Sequence, residues 1–354
     1  MEVLRSAPQL EALCDDWNAL ADLQGHALLR HEWVFSAAKM LHAAGRLAVV
    51  IRTRDERLEA VAPLARTMVN GIERLEFIGA EALYEPTGFL ARDARARALL
   101  LRDLVKLGRP LMLRRLSAAS DAPDLQKAAG GRGILLVKNT APSLSVALRA
   151  DGPETPVQLP GKLRYDVKRA RTRAGESGEV TVDVIAPTER DVDETLDAFI
   201  KVEASGWKGR HGSALGTSKR TQAFFRMFCR LSARAGTLRM FFLKVGSTIA
   251  AAQIAVEAYE RLWILKIGYD EGMAHCSPGF LLTAEAIEHA RRQGLRSYEF
   301  LGIAEKWEER WRPEKRACSA AAFYPWSVGG GLSASFDLAR TAWRRIRSEP
   351  KHAS

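Results

Sequence analysis

Apolar residues recur at helical spacing near the start of the chain, at Leu10, Leu13, Trp17 and Leu20. A second helix is expected over residues 31–43, around Trp33 and Phe35. Two strands are predicted next, at 47–53 and 58–69, joined by the polar turn Arg54-Asp55-Glu56-Arg57. Residues 73–78 read as another strand, stopped at Gly79. A helix over 94–107 and two apolar segments, 111–116 and 134–137, finish this half. Between 140 and 160 four prolines and scattered polar residues predict a connector and not a packed element.

Beyond the connector the alternation is clearer. A strand at 180–185 precedes a helix over 192–205 carrying Leu196, Phe199, Ile200 and Glu203. A longer helix over 217–235 is capped by Thr217 or Ser218. Residues 238–245 and 249–259 form a hairpin across Gly246-Ser247. A strand at 262–269, a helix over 278–293 stopped by Gly294, and a strand at 298–301 follow. Residues 317–324 are expected at a sheet edge. The last pattern, 332–347, is a basic amphipathic helix with Phe336, Trp343 and Ile346 beside Arg340, Arg344, Arg345 and Arg347. The chain therefore reads as α/β, with domains at 1–145 and 161–330, a linker at 146–160 and a basic helix within 331–354.

Composition agrees with a folded two-domain protein: 354 residues, 47% hydrophobic and 27% charged. The net charge of +11 favours acidic partners such as coenzyme phosphates, nucleic acid or an anionic membrane surface. Its densest stretch holds Lys162, Arg164, Lys168, Arg169, Arg171 and Arg173 against Asp166 alone. That stretch suits a phosphate clamp, a tRNA contact, a membrane contact or a solvated helix face. Cys14, Cys229, Cys276 and Cys318 are far apart, and no two histidines stand four apart, so reduced thiols and no metal site are expected. The first residues have no apolar signal core, and no apolar run approaches the roughly 20 residues that cross a bilayer. A cytoplasmic protein is expected, at most peripheral at the inner membrane face.

The most informative chemistry is Ser277-Pro278-Gly279-Phe280, which follows a strand and opens a helix. Proline suits the first helical turn, where its missing N–H costs nothing. Glycine lets a ligand approach the backbone. The N–H groups of Gly279, Phe280 and Leu281 would face a pyrophosphate, helped by the helix dipole. The plainer reading is a good helix start and nothing more.

Three motifs carry a family resemblance: EASGWKGRHGSAL (203–215), YDEGMAHCSPGFLL (269–282) and FLGIAEKWEERW (300–311). With the element order they make the second half resemble a GNAT-superfamily acyltransferase domain. More narrowly, it resembles the cellulose-biosynthesis acetyltransferase-like branch, which is related to the Fem-type peptidoglycan aminoacyl transferases. The resemblance implies tandem GNAT-like domains, each a mixed, mostly antiparallel sheet flanked by helices. The first would be a degenerate copy, to which the YEPTGFL segment (84–90) belongs. It also implies an acyltransferase using acetyl-CoA or a longer acyl-CoA, with Ser277, Gly279, Phe280 and Leu281 at the donor.

In such a domain Asp270 would act as base and Tyr269 would protonate the leaving thiolate. Lys306 would stabilise the oxyanion. The loop holding Trp207, Lys208, Arg210 and His211 would bind a small-molecule or glycan-precursor acceptor. Each has a bland counterpart: Asp270 as a turn residue, Lys306 as a surface charge, Trp207 as a packing anchor. Exopolysaccharide or cell-envelope metabolism follows from the resemblance alone. Aminoacyl transfer from tRNA and a non-catalytic basic binding module are the alternatives.

Overall fold

The computed structural model describes residues 1–149, 160–205, 215 and 218–348. In chain order the first elements are β1 (Glu2–Leu4), α1 (Ala7–Glu11), α2 (Cys14–Gln24) and α3 (His31–Leu41). Then come β2 (Val49–Arg54), β3 (Arg57–Ala62), β4 (Leu64–Val69), β5 (Ile72–Phe77) and β6 (Leu90–Ala91). They are followed by α4 (Ala94–Lys106), β7 (Leu111–Leu116), α5 (Asp121–Ala129) and β8 (Gly133–Ala147). The second half holds α6 (Gly161–Gly175), β9 (Val180–Ile185), α7 (Val192–Ala204) and α8 (Lys219–Arg234). It continues with β10 (Leu238–Val245), β11 (Thr248–Ala258), β12 (Arg261–Tyr269) and α9 (Pro278–Arg292). The series closes with β13 (Ser297–Leu301), β14 (Glu314–Pro325) and α10 (Val328–Ser348).

These elements form two compact units, each drawn from separate stretches of chain. The first comprises Met1–Leu20, His42–Thr140 and Cys318–Ser354, and the second Ala21–Leu41 and Ala141–Ala317. The fold is mixed α/β, as the sequence predicts.

In the first unit β1, β2, β3 and β6 form one sheet in that order, and β4, β5, β7 and β14 are neighbours in another. Helix α4 begins where the Asp93 carboxylate accepts the Ala96 N–H at 2.7 Å. It buries Leu100, Leu101, Leu104 and Val105 in a core shared with Phe77, Phe89, Leu111 and Phe323.

Three expectations change here. The strand predicted over 58–69 is two strands, because Pro63 has no N–H to donate and ends the pairing. Its halves join different sheets. Strand β14 is not an edge: it pairs with β7, Ser319 opposite Leu116, and has β8 as its other neighbour. Helix α10 starts at Val328, earlier than the apolar pattern suggests, and takes in Gly329, Gly330 and Gly331. A Cβ on Gly330 would lie 2.0 Å from the Pro325 carbonyl oxygen, so this glycine permits a close approach that no other residue would.

In the second unit the strand order is β8, β13, β12, β11, β10, β9. The connector predicted from 140 onward is ordered strand as far as Ala147. Polar and apolar residues alternate from Ser143 to Val146; Leu144, Ser145 and Val146 are all buried, and Ser145 and Ala147 lie opposite Glu299 and Ser297 of β13. Period-2 alternation outweighed the polar composition here. Helix α8 is capped by Ser218, whose hydroxyl accepts the Thr221 N–H at 3.3 Å. Its Phe224, Phe225 and Phe228 pack edge-on to Trp33 of α3 at 4.9, 6.4 and 5.0 Å between ring centroids.

Candidate active site

Within the second unit β12 and β13 run parallel but share only three paired positions: Arg261 with Ser297, Leu262 with Tyr298, and Trp263 with Glu299. Past Trp263 the strands part. β12 keeps its partner β11 on the far side as far as Tyr269, opposite Ala251. β13 ends in a left-handed turn at Leu301 and Gly302, with φ of 59° and 49°. The register of β11 and β12 slips where Ile254 faces Lys266 and Ala255 faces Ile264, so Leu265 is an extra residue on β12. A bulge of this kind bends the strand as it leaves its neighbour. The result is a wedge that opens between the ends of two parallel strands.

Helix α9 starts beside this wedge. Ser277 is left-handed (φ 53°) and Pro278 takes the first helical position. A Cβ on Gly279 would stand 3.4 Å from the Tyr269 ring and 3.8 Å from Ile267, so the helix start lies close against the end of β12. Of the three N–H groups named from the sequence, that of Leu281 is spent on Ser277 O at 3.1 Å, which closes the first helical turn. No described residue accepts from Gly279 or Phe280, and these two donors remain. Helix α6 packs on α9. Its Lys162, Arg164, Lys168, Arg169 and Arg171 are exposed, and Arg171 pairs with Glu285. Arg173 stands close enough to Cys276 for its charge to act on that thiol, which burial pushes up. The Arg173 Nε is buried with no hydrogen-bond partner.

Residues 305–311 cover the first turn of α9. The Trp311 ring lies 5.2 Å from Phe280, and the Arg310 guanidinium sits over Phe280 at 4.3 Å while pairing with Asp166 at 3.0 Å. Trp307 meets Phe300 of β13 edge-on at 5.6 Å. Beneath this cover Gln253 donates to Thr283 Oγ1 and to Tyr298 Oη, and Thr283 donates to Gly279 O at 2.9 Å. The chain of bonds fixes the first turn of α9 from below. Gln253 Oε1 and Trp311 Nε1 are buried without a partner.

The sequence-named residues fall as follows. Tyr269 is half-buried at the end of β12, against Gly279. Asp270 begins the short turn 271–276, where its Oδ1 accepts the Gly272 N–H at 2.9 Å, the cap of an Asx turn. Lys306 is exposed in the segment after β13. Trp207, Lys208, Arg210 and His211 lie outside the described residues. Among the described residues no cluster of side chains could hold a metal ion.

Sequence reading missed Glu308. This carboxyl is 6% exposed and accepts the Glu305 N–H at 2.9 Å. Burial pushes its pKa up to about 7; the Glu305 N–H opposes the shift and the Glu305 charge adds to it. The available signal was its place in EKWEERW, an acid between two tryptophans.

A second buried carboxylate supports the wedge from behind. Glu203 of α7 accepts the Leu215 N–H at 2.7 Å, and a Cβ on Gly268 of β12 would lie 2.9 Å from the Glu203 Cα. Gly268→Val is therefore expected to cost about 1–3 kcal/mol by forcing α7 off β12. Urea denaturation measures this, and an unchanged midpoint would mean that α7 yields freely.

The first unit has a comparable parallel pair that is filled by its own chain. β5 and β7 pair only at Leu75 with Leu111 and Glu76 with Met112. Farther along, Thr87 of the YEPTGFL segment bridges to Leu116, whose other edge belongs to β14. Thr87 thus takes the edge of β7 that faces β5. Its N–H donates to Arg115 O at 2.9 Å and its carbonyl accepts from Ser117 at 3.0 Å.

Residues 161–309 match the family model for an acetyltransferase (GNAT) domain. A comparison with curated proteins finds no match. Among solved structures, L-PGS from Bacillus licheniformis is 14% identical, with 90% of this chain and 92% of that one covered at a TM-score of 0.56. The C-terminal domain of a proposed lysylphosphatidylglycerol synthetase from Agrobacterium fabrum is 12% identical, with coverage of 92% and 95% and a TM-score of 0.57. FemX is 12% identical, with coverage of 91% and 97% and the same TM-score of 0.57. At such identities the likeness is one of fold, and it extends over both units. The family match spans the strand wedge, the α9 start and Glu308, so the candidate site lies inside the segment that is similar to a GNAT acetyltransferase domain.

Proposed function

We propose that the second unit moves an acetyl or longer acyl group from acyl-coenzyme A to an amine or hydroxyl of its acceptor. The observation that carries this is the wedge between β12 and β13 with two unused N–H donors, Gly279 and Phe280, at the helix start beside it. Those donors and the unpartnered Arg173 Nε fit a pyrophosphate, and the opening between β12 and β13 is where a pantetheine arm would lie. Attack by the acceptor forms the new C–N or C–O bond and breaks the thioester C–S bond. Glu308 takes the acceptor's proton and Tyr269 gives one to the departing sulfur. Lys306 and the 207–211 loop, with Trp207, Lys208, Arg210 and His211, are left for the acceptor. A glycan precursor of the cell envelope or an exopolysaccharide is the acceptor class we favour, on the family resemblance.

Calorimetry with acetyl-CoA, a long-chain acyl-CoA and free CoA tests the donor site. Wild type should bind, and Gly279→Trp should bind at least about tenfold more weakly because the indole fills the approach to the helix start. No binding, or binding that the variant keeps, would remove the donor from α9.

Aminoacyl transfer from tRNA is the second reading. The exposed cations of α6 and the similarity in fold to FemX and lysylphosphatidylglycerol synthetase favour it. A transfer assay comparing acyl-CoA with charged tRNA separates the two.

A further inference from the structure

Helix α10 packs the wrong way round for an ordinary amphipathic helix. Its buried positions are Gly330 and Ser333, and Asp337 on the same side is half-buried. Its large apolar residues face out: Val328 is 82% exposed, Leu332 49% and Phe336 41%. Leu338 and, just before the helix, Trp326 are exposed as well. A surface helix normally turns that stripe to the core.

The reversed orientation is fixed by polar bonds. Arg74 of β5, almost fully buried, donates to Ser333 O at 3.2 Å and pairs with Asp337 at 3.0 Å. The Tyr324 hydroxyl donates to the same Asp337 oxygen, Oδ2, at 2.7 Å. Gly330 fits against the Pro325 carbonyl where no side chain could. Rolling the helix to hide its apolar side would strand a buried arginine and clash at Gly330. The apolar side is held outward.

We propose that α10 docks on an anionic lipid surface. Val328, Leu332, Phe336 and Ala339 follow helical spacing, and the sequence repeats it at Trp343 and Ile346. The same stretch carries Arg340, Arg344, Arg345 and Arg347, while its one described acid, Asp337, is already neutralised by Arg74. An apolar stripe with cations and no unpaired acid complements a negatively charged headgroup layer over an apolar interior. A second copy is the poorer occupant, because a two-fold pairing would set arginine against arginine. No described helix is long and apolar enough to cross a membrane, so the contact would be peripheral.

The test is co-flotation of the full chain with vesicles of phosphatidylglycerol and phosphatidylcholine in equal parts, against phosphatidylcholine alone. Binding should favour the anionic vesicles by about tenfold or more and weaken as salt rises. The double variant Leu332→Glu and Phe336→Glu alters only exposed side chains and should keep the melting temperature while losing vesicle binding. Arg340→Glu should weaken binding to the anionic vesicles. Failure of the wild type to float, or equal flotation of the double variant, would overturn the proposal. So would a dimer seen by light scattering that the double variant dissolves, since the face would then belong to a second copy.

Discussion

Glu308→Gln is expected to lower the turnover number for acyl transfer by about 10²- to 10⁴-fold while leaving the protein folded. The amide keeps an oxygen to accept the Glu305 N–H but cannot take a proton from the acceptor. With burial pushing the Glu308 carboxyl up to about 7, the wild-type rate should rise about tenfold per pH unit below that value and level off above it. The variant should lose that inflection. Stability moves the other way. A carboxyl whose folded pKa lies above its unfolded value is best tolerated in its neutral form, so its contribution weakens as pH rises from about 4.5 towards 7. Glu308→Gln should therefore melt at or above the wild-type temperature at pH 8, where its activity is most reduced. A variant with the wild-type rate and pH profile would show that Glu308 only closes the 305–308 turn. Asp270, the base expected from the sequence, would then be the residue to test next.

Trp33→Ala should destabilise the second unit by about 3–5 kcal/mol, the usual cost of removing a large aromatic from a core. The indole is buried among three phenylalanines that are themselves fully buried, and each meets it edge-on. Removing it leaves a cavity walled by the α8 backbone, which Ser218 and the Arg226 and Arg230 pairs with Asp193 hold in place. Collapse into that cavity would be limited. Chemical denaturation followed by circular dichroism measures the loss, and Trp33→Phe should recover part of it. A loss under about 1 kcal/mol would mean that α3 is a peripheral attachment to α8.

Element type was widely legible along this chain because local signals agreed. Strand 180–185, the hairpin across Gly246-Ser247 and the helix opened by Pro278 all lie where periodicity and capping residues predict. Two of the misses have opposite causes. Pro63 sits in a run of apolar residues and still divides it. Residues 143–148 follow a proline and still alternate as a strand.

The start of α9 was legible, because Pro278 and Gly279 have local reasons to stand there. It was not legible at Glu308, whose chemistry depends on burial beside Trp307 and Trp311. In sequence, Glu308 is one charge among Glu305, Lys306, Glu309 and Arg310, and reads as solvated. The loop from Trp207 to His211 adds nothing to either side, since it lies outside the described residues.

The place of α3 has a consequence for how the protein is made. It leaves the ribosome roughly 190 residues before the phenylalanines that cover it, so the second unit cannot complete its core until α8 has emerged. Trp33 must spend that interval exposed or sheltered by something else. The same wiring defeats simple dissection: a fragment begun at residue 161 would contain the whole family match and still lack one wall of its own core.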